Sequence, residues 1–402
     1  MNIPSSLKKI AKVAQSPIYA VGGSVRNFFT KFGKTDIDIC GPELTNRLLL
    51  PSGARLKVVS ENLGTAIILY GGDEYEYTPF RTETYHHTGV HTPSSVQFVS
   101  DLQIDSQRRD FACNAIYYDL KNAKFIDPCN GIKDCKDRVL RQVNDKVFCV
   151  DGLRILRLIR FASELGFRIE HKTKQNAYEN LHLLENISSE RKRIEWDKIL
   201  YADIKYNVKD GFINGVSLAH KLGILSKVSP DLEHNVLGVE QALQQLAYAK
   251  VHVRLSLFLY NNPNAESVLY SLKYSNDTIK HTLNTIHACK QFERINFNHM
   301  QLRLFVIKNF LYIDSIIDLL YALAQGMNNE KNSSLIQVYR TVTLDKTPKT
   351  LRELEIDGYD LLSLNIDKKN FSKILHSVWE HCILYPNCND KKWLLDNISK
   401  FL

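Results

Sequence analysis

The periodicity of the apolar residues changes once along this 402-residue chain, near position 150. Downstream of this point, apolar residues recur every three to four positions, as at Leu153, Leu156 and Ile159, and this helical pattern continues almost to the C-terminus. Upstream, short runs of strand character alternate with turns, at Ile18–Val21, Ile37–Cys40, Thr65–Tyr70, Tyr75–Phe80 and Ala115–Leu120. Separate strand-rich and helix-rich parts predict an α+β fold, with a small N-terminal sheet followed by an all-α remainder. The polar stretch from Arg81 to Gln107 is predicted to contain at most one strand, near Val96–Val99.

The composition is that of an ordinary globular protein, with 44% hydrophobic and 24% charged residues. The net charge of +8 is compatible with a polyanionic partner but does not establish one. We find no apolar run long enough to cross a bilayer and no signal sequence at the start, so we expect a cytoplasmic protein without a membrane partner. The eight cysteines lack zinc-site spacing and are expected to be free thiols.

Two glycines follow the first predicted strand. Gly22 and Gly23 allow a tight turn in which the backbone approaches a ligand closely, and Ser24–Thr30 has the pattern of a helix. The free N–H groups at a helix start favour an anion such as a triphosphate, and Arg26 in the first turn adds a forked donor. A turn without a ligand is the alternative interpretation of two such glycines.

Two aspartates occur ten residues further on. The two-residue period of a strand places Asp36 and Asp38 on one face. Carboxylates this close repel each other unless a cation lies between them, and oxygen ligands beside phosphates favour Mg²⁺. Glu76 is a candidate for a third carboxylate, with Asp73 and Glu74 as competing candidates. A solvated strand face is the alternative interpretation of the two aspartates. The order and spacing of the glycines and the aspartates together nevertheless favour a nucleotidyl-transfer site.

Arginines dominate two later segments. Arg108, Arg109, Asp110 and Asn114 combine donors for phosphate with a carboxylate suited to a ribose hydroxyl, although taken in isolation this segment favours a solvated charged loop. In the helix that follows, polar residues recur every third position and form one oblique ridge, at Asp151, Arg154, Arg157 and Arg160. Apolar residues fill the rest of this helix, so we expect the ridge to face a cleft rather than to be a snorkelling surface feature.

These segments, in this order, resemble the bacterial class II tRNA nucleotidyltransferase (CCA-adding) and poly(A) polymerase family of the polymerase β superfamily. The matching segments are Gly-Gly-Ser-Val-Arg at 22–26, Asp-Ile-Asp-Ile at 36–39, Phe-Arg-Thr-Glu at 80–83, Arg-Arg-Asp-Phe at 108–111, Asp-Pro-Cys-Asn-Gly at 127–131, residues 151–167, Ile-Ser-Ser-Glu-Arg at 187–191 and Leu-Glu-Ile-Asp-Gly-Tyr-Asp-Leu at 354–361. The last segment is similar to the tail of CCA-adding enzymes.

The resemblance implies a seahorse-shaped molecule with a catalytic head at 1–145, a helical neck at 146–210, a helical body at 211–325 and a tRNA-binding tail at 326–402. It implies Mg²⁺-dependent addition of C, C and A from CTP and ATP to the 3′ end of tRNA, without a nucleic-acid template. The implied phosphate contacts come from Gly22, Gly23 and Arg26, and the metal ligands are Asp36 and Asp38, with Glu76 as a third carboxylate.

The resemblance also assigns the arginine-rich segments. Arg109, Arg157 and Arg160 would contact the nucleotide, Asp110 its ribose, and Asp151 with Arg154 would read the base. Addition of only A or only CC, a poly(A) polymerase and a weakened RNA-binding protein are the alternatives. The oligomeric state is left open.

Three positions depart from the family pattern. Val150 stands where the family has a glutamate that helps to orient the arginine at position 154, which affects the expected accuracy of base selection. Asn27 replaces an aspartate, and Val90 replaces an arginine in the loop 88–93, whose length is nevertheless retained.

Overall fold

A computed structural model describes residues 1–33, 35–85, 93–233, 242, 246, 249–295, 298–324 and 330–402 of the chain. The loop 88–93, apart from Pro93, lies outside these residues. The chain divides into two compact units, of which the first comprises Met1–Glu233 with Ser271–Lys273, and the second the remainder. Each unit is described by itself.

A seven-stranded sheet forms the centre of the first unit, in the order β3-β4-β5-β2-β1-β8-β9. Its strands are β1 Tyr19–Val21, β2 Asp38–Gly41, β3 Arg55–Ser60, β4 Thr65–Tyr70, β5 Asp73–Pro79, β8 Tyr117–Asp119 and β9 Lys124–Ile126. Neighbouring strands are antiparallel except β2 and β5, which run parallel with Ile39 beside Tyr77. The predicted strand at Thr65–Tyr70 agrees with β4 at both ends.

Two strands and a helix occupy the polar stretch after β5, so the prediction of at most one strand there was wrong. Strands β6 Arg81–Thr84 and β7 Ser95–Phe98 pair antiparallel, and helix α3 Leu102–Gln107 follows. Strand β6 contains no apolar residue. Arg81 and Glu83, on one of its faces, form an ion pair at 2.7 Å where apolar side chains would otherwise pack into a core. Apolar alternation therefore gave no signal.

Helices complete the first unit. Around the sheet they are α1 Ser5–Val13, α2 Gly23–Thr30 and α4 Gly131–Asp137, and after it α5 Val147–Val150, α6 Leu153–Leu165, α7 His171–Glu179, α8 Ser189–Leu200, α9 Ala202–Lys205, α10 Gly211–Lys221, α11 Leu225–Val228 and α12 Pro230–Glu233. A short parallel pair, β10 Val139–Leu140 and β11 Arg168–Ile169, is an exception to the all-α prediction for residues after 151.

The described part of the second unit is helical. Its helices are α13 Val251–Leu259, α14 Ala265–Ser271, α15 Asn276–Arg294, α16 His299–Lys308, α17 Ile313–Leu323, α18 Glu330–Leu344, α19 Gly358–Ser363, α20 Phe371–Leu384 and α21 Lys391–Asp396. The C-terminal helices enclose a small core of Leu361, Ile374, Val378, Cys382 and Leu394. The segment at 354–361 that resembles the family tail thus forms part of a folded core.

The α+β prediction is confirmed. Among the described residues, none of the helices combines the length and the apolar character that a bilayer crossing requires.

Candidate functional site

A cavity of about 820 Å³ in the first unit brings most of the predicted site residues together. The predicted residues that line it are Gly22, Gly23, Arg26, Asp36, Asp38, Arg109, Asp110, Asp151, Arg154, Arg157 and Arg160. These residues come from segments more than 100 positions apart. The cavity therefore unites the glycine turn, the aspartates and the arginine ridge in one site.

The glycine turn connects β1 to α2. Gly22 adopts φ 77° and ψ −137°, a conformation that only glycine adopts readily, and its carbonyl accepts the first hydrogen bond of the helix from the Arg26 N–H. A Cβ atom built at Gly22 would lie 3.7 Å from the Asp38 carboxylate. The missing side chain leaves the cavity open between the helix start and this aspartate.

The two aspartates occupy different backbone environments. Strand β2 begins at Asp38, and Asp36 is not part of it. The prediction that both aspartates lie on one face of a strand was therefore wrong. Asp36 lies in the segment before the strand, yet it lines the same cavity. Its place outside the strand follows from the pairing of β2 with β1, which ends at Asp38 opposite Val21.

Glu76 does not line the cavity, but it lies on β5 directly beside β2. Asp38 is exposed to solvent through the cavity, yet partial desolvation by the surrounding protein and then the charge of Glu76 raise the pKa of Asp38 to about 6. Asp36 contributes a smaller increase to this pKa, and Arg109 opposes it. Negative charge thus accumulates at this end of the cavity, as a cation site requires.

No salt bridge joins Asp36, Asp38 or Glu76 to a basic side chain within the described residues. The three carboxylates also do not form a ready-made ligand cluster, since the described residues contain no group of three or more acidic, His or Cys side chains arranged to hold a metal ion. The donor chemistry fits a divalent cation, with Asp36 and Asp38 as the pair that lines the cavity.

Arg26 is almost fully buried beneath the cavity. Its guanidinium donates to Asn114 Oδ1 at 2.7 Å, to Asn27 Oδ1 at 3.0 Å and to the Tyr206 hydroxyl at 3.0 Å, and it lies 5.4 Å from the centre of the Phe161 ring. These bonds occupy most of its donors. The Asn27 that departs from the family pattern thus helps to hold Arg26 through a neutral oxygen.

Arg108 and Arg109 are fixed by a carboxylate that the sequence predictions missed. Asp105 is fully buried and accepts hydrogen bonds from Arg108 Nε at 2.7 Å and Arg109 Nη2 at 3.1 Å. Burial alone would raise the pKa of Asp105, but Arg109, Arg108 and the Tyr117 hydroxyl outweigh it and lower this pKa to about 2. The spacing of three and four residues from Asp105 to the two arginines was an available signal.

Asp110 and two arginines of α6 form the cavity wall. Asp110 accepts hydrogen bonds from Arg157 at 2.5 and 2.9 Å and from Asn114 Nδ2 at 3.0 Å, and Arg157 is the main cause that lowers the pKa of Asp110 against the effect of its burial. Arg160 pairs with buried Glu195 at 2.7 Å. The ridge residues therefore reach the cleft as expected, but with carboxylate partners already in place.

Arg154 has a different set of partners. Its Nη2 donates to the carbonyl of Arg108 at 2.6 Å and its Nη1 to that of Val147 at 3.4 Å, while Nε lies 3.7 Å from the Asp151 carboxylate. Val150 ends α5 and does not line the cavity. Backbone carbonyls thus orient Arg154 in a chain that lacks the glutamate of the family pattern.

Two buried polar atoms at the cavity have no hydrogen-bond partner in the described part of the chain, Thr35 Oγ1 and Arg160 Nε. The aromatic and acidic neighbours Phe161, Tyr206, Tyr85 and Glu83 also line the cavity and were not among the predicted site residues. An unpartnered buried donor normally costs free energy, so these atoms are consistent with a site that receives a polar ligand.

Three family models match successive parts of the chain. They are the "Poly A polymerase head domain" at residues 18–141, the "Probable RNA and SrmB-binding site of polymerase A" at 166–235, and tRNA nucleotidyltransferase domain 2 at 244–398. The predicted site residues fall within or between the first two matches. Residues of α6 therefore come from a linking region that the models leave out.

Curated relatives named CCA-adding enzyme match most of the chain. The enzyme of Lactococcus lactis subsp. lactis (strain IL1403) is 30% identical over 398 residues, covering 96% of this chain and 93% of the relative. That of Ligilactobacillus salivarius (strain UCC118) is 27% identical, covering 100% and 98%. The match to the Streptococcus thermophilus (strain CNRZ 1066) enzyme is closer, at 42%, but spans 49% of this chain and 48% of that enzyme.

A solved structure shares the fold over nearly the whole chain. The Bacillus stearothermophilus CCA-adding enzyme in complex with CTP has a TM-score of 0.79 at 22% identity and covers 99% of this chain and 98% of its own. A tRNA nucleotidyltransferase complexed with a primer tRNA and an incoming ATP analog has a TM-score of 0.64 at 21% identity, covering 84% and 99%. With the Lactococcus lactis relative at 30% identity over 96% of the chain, these findings show that the chain belongs to the CCA-adding enzyme family of the polymerase β superfamily.

Proposed function

We propose that this protein adds C, C and A, from CTP and ATP, to the 3′ end of tRNA in a Mg²⁺-dependent reaction that releases pyrophosphate. The observation that carries the proposal is the shared cavity, which Asp36 and Asp38 line together with the turn at Gly22 and with Asp151 and Arg154. A carboxylate pair suits metal and phosphate chemistry, while an aspartate with an arginine suits the edge of a base. One cavity therefore offers both halves of a template-independent nucleotidyl transfer.

The phosphate end of the site consists of Gly22, Gly23, Arg26 and Arg109. The start of α2 directs free N–H groups and the positive end of the helix dipole at an anion, and Arg109 adds a guanidinium at the cavity wall. Arg26 acts mainly by holding Asn27 and Asn114 in place, because most of its donors are occupied. Together these groups bind and orient the triphosphate.

Asp36 and Asp38 would hold Mg²⁺, with Glu76 supporting the negative charge around Asp38. The bound ion would neutralise charge on the attacking and leaving oxygens during attack of the tRNA 3′-hydroxyl on the α-phosphate. Asp38 must be ionised to ligate a cation, and its raised pKa makes this ionisation depend on pH. Positioning and charge neutralisation then account for most of the rate enhancement.

The base end consists of Asp151 and Arg154. Arg154 can donate to a base edge, and Asp151 can accept from it, so that the protein takes the place of a template strand. Arg157 and Arg160 contact the nucleotide nearby, and Asp110 receives its ribose. Backbone support from Arg108 and Val147 keeps Arg154 in position despite Val150.

The test uses purified protein with three tRNA substrates, which end before the CCA, after the first C and after CC. CTP and ATP are offered separately and together, with Mg²⁺ and with excess chelator. We expect each tRNA to be completed to CCA only when Mg²⁺ and the required nucleotides are present. Absence of metal-dependent extension contradicts the enzymatic proposal and favours an RNA-binding protein.

The same assay separates the alternative enzymes. A product that stops at CC, or extension only of the tRNA that ends in CC, indicates split specificity. Long A tails on an RNA that is not tRNA indicate a poly(A) polymerase. The Asp38→Ala variant serves as the matched control, because it removes a carboxylate of the cavity without altering any surface expected to hold tRNA.

A further inference from the structure

Asp105 lies behind two of the arginines that line the cavity and does not line the cavity itself. Its Oδ1 accepts hydrogen bonds from Arg108 Nε at 2.7 Å and from the Arg81 N–H at 3.4 Å. Its Oδ2 accepts from Arg109 Nη2 at 3.1 Å and from the Tyr117 hydroxyl at 2.7 Å. Both oxygens are thus occupied by protein donors, and Asp105 has no capacity left for a ligand.

The anchored arginines keep donors available on the cavity side. Arg109 binds Asp105 and Tyr117 through Nε and Nη2, and its Nη1 makes no hydrogen bond to any other described residue. The Arg109 guanidinium also lies 5.1 Å from the centre of the buried Tyr117 ring. Because a guanidinium is planar, fixing one edge fixes the direction of the other edge as well.

The arrangement also solves an electrostatic problem. Arg108 and Arg109 are consecutive cations with side chains only 16% and 15% exposed, so each needs a compensating charge. Asp105 supplies that charge to both at hydrogen-bond distance, and Glu83, which pairs with Arg81, adds a longer ion pair with Arg108 at 3.8 Å. These three arginines and two carboxylates leave one net positive charge at the cavity wall. A wall that is positive and already ordered loses little side-chain entropy when an anion binds.

We propose that Asp105 is a positioning residue for the triphosphate of the nucleotide substrate, acting through the guanidiniums of Arg108 and Arg109. The inference rests on the proposed function, because it takes CTP and ATP as the ligands. Tyr117 serves as the second support, since its hydroxyl contacts both Asp105 and Arg109. Neither residue touches the reacting atoms.

The first test is the Asp105→Asn variant, which keeps the side-chain size but replaces an acceptor by a donor. The new amide group faces donors of Arg108, Arg109 or Tyr117, so at least one arginine loses its anchor. We expect the Kd for CTP, measured by calorimetry with Mg²⁺ and without tRNA, to rise about tenfold or more. The Kd for tRNA should stay within about twofold, because no phosphate-facing surface outside the cavity changes.

The matched control is Asp134→Asn. Asp134 is also a buried carboxylate of the first unit, with an arginine partner, Arg141, at 3.1 Å, but it does not line or adjoin the cavity arginines. Its replacement should lower thermal stability while leaving CTP binding unchanged. If CTP affinity falls only because the protein is less stable, both variants should lose it equally. If Asp105 positions the arginines, only Asp105→Asn should raise the Kd for CTP.

Three results would overturn the inference: a folded Asp105→Asn protein with CTP affinity within about twofold of wild type, equal losses of CTP and tRNA affinity, or an equal loss of CTP affinity in Asp134→Asn. If Asp105→Asn does not fold, the Tyr117→Phe variant replaces it in the test. We expect Tyr117→Phe to lose CTP affinity several-fold, and an unchanged affinity would contradict the inference. Failure of wild type to extend tRNA would instead reject the proposed function, and the CTP measurement would still test Asp105. Failure of wild type to bind CTP overturns both.

Discussion

At the scale of single residues, Gly22 and Gly23 offer a test of where the phosphates lie. At Gly22, the positive φ makes any side chain strained, so Gly22→Ala should destabilise the protein by about 1–3 kcal/mol. At Gly23, a Cβ atom would meet Thr35 Oγ1 at 3.5 Å and Arg26 Nη2 at 3.6 Å, which are ordinary contacts, so Gly23→Ala should change stability by less than about 1 kcal/mol.

Both alanines should nevertheless reduce tRNA extension, because each methyl group occupies space over the start of α2. Thermal unfolding and the KM for CTP, measured side by side, separate the two effects. The Gly23→Ala variant is the more informative one, since its fold should be intact. If its KM for CTP equals that of wild type, the triphosphate does not approach the backbone at this turn.

Asp38 links stability to pH. Because its pKa in the folded protein is about 6, above the usual value, the folded protein binds this proton more tightly than the unfolded chain does. The stability of the metal-free protein should therefore fall as pH rises through about 6. Asp38→Asn removes the charge, so this variant should melt at a higher temperature than wild type at pH 8 and show a smaller difference at pH 5.

The same variant should lose tRNA extension and most of its stabilisation by Mg²⁺. Calorimetric melting curves at both pH values, with and without Mg²⁺, provide the measurement. Equal stabilisation of wild type and variant by Mg²⁺ would argue against Asp38 as a ligand. The ionised Asp38 carboxylate would then lower the stability of the metal-free protein while providing a ligand for the cation.

Most residues that the sequence selected for the site line one cavity, while their roles in the reaction stay predictions. Asp36, Asp38 and the arginine ridge all line the cavity. They could be predicted because their order along the chain matches the family pattern. The partners of these residues were mostly missed. Asp105 contacts Tyr117, twelve positions away, and Arg26 contacts Tyr206, 180 positions away, and no local pattern encodes contacts that only the tertiary fold creates.

At the scale of elements, α6 combines an apolar core surface with charged residues that need partners. Arg160 and Glu195, which joins α8 to α6, have side chains only 7% and 5% exposed. Glu195→Gln should therefore lower the free energy of unfolding by up to about 3 kcal/mol, since the buried guanidinium keeps only the more distant Glu164 carboxylate, at 3.9 Å from its Nε. Urea unfolding curves measure the change.

Glu185→Gln is the control for this prediction. Glu185 also pairs with a cation on a neighbouring element, Lys227, but the two side chains are 63% and 34% exposed. Such a surface pair contributes about 0–1 kcal/mol. Similar losses in the two variants would show that Arg160 obtains its compensation from somewhere other than Glu195.

The strands show why element prediction succeeded in some places and failed in others. Strand β4 was predicted correctly because Ala66, Ile68 and their neighbours are apolar and partly buried. Strand β6 is polar on both faces and its sequence carries no apolar alternation, whereas Val96 and Phe98 share one face of β7, the strand that was predicted in this stretch. The two strands pair antiparallel through their backbones, and the ion pair of Arg81 with Glu83 lies within β6; neither feature has a sequence period.

At the scale of the whole molecule, the resemblance predicted the family and the change of periodicity predicted the α+β class, and both are confirmed. The three boundaries between the four predicted domains, at residues 145, 210 and 325, stay predictions. The structure separates one unit up to Glu233 from the rest, without a break at 145, because α6 packs against elements on both sides of that position. Periodicity changes where secondary structure changes, which need not be where a compact unit ends.

The net charge of +8 leads to a prediction about salt. Several arginines of the cavity are already paired with carboxylates, as in Arg157 with Asp110 and Arg160 with Glu195, so the excess positive charge is available mainly outside the cavity. Binding of tRNA to that charge releases counterions, and we expect its affinity to fall on the order of 100-fold between 50 and 200 mM KCl. Binding of CTP, which involves few phosphates, should weaken by less than about tenfold. Filter binding for tRNA and calorimetry for CTP across one salt series give both slopes, and a tRNA slope no steeper than that of CTP would contradict an extended electrostatic contact with the RNA backbone.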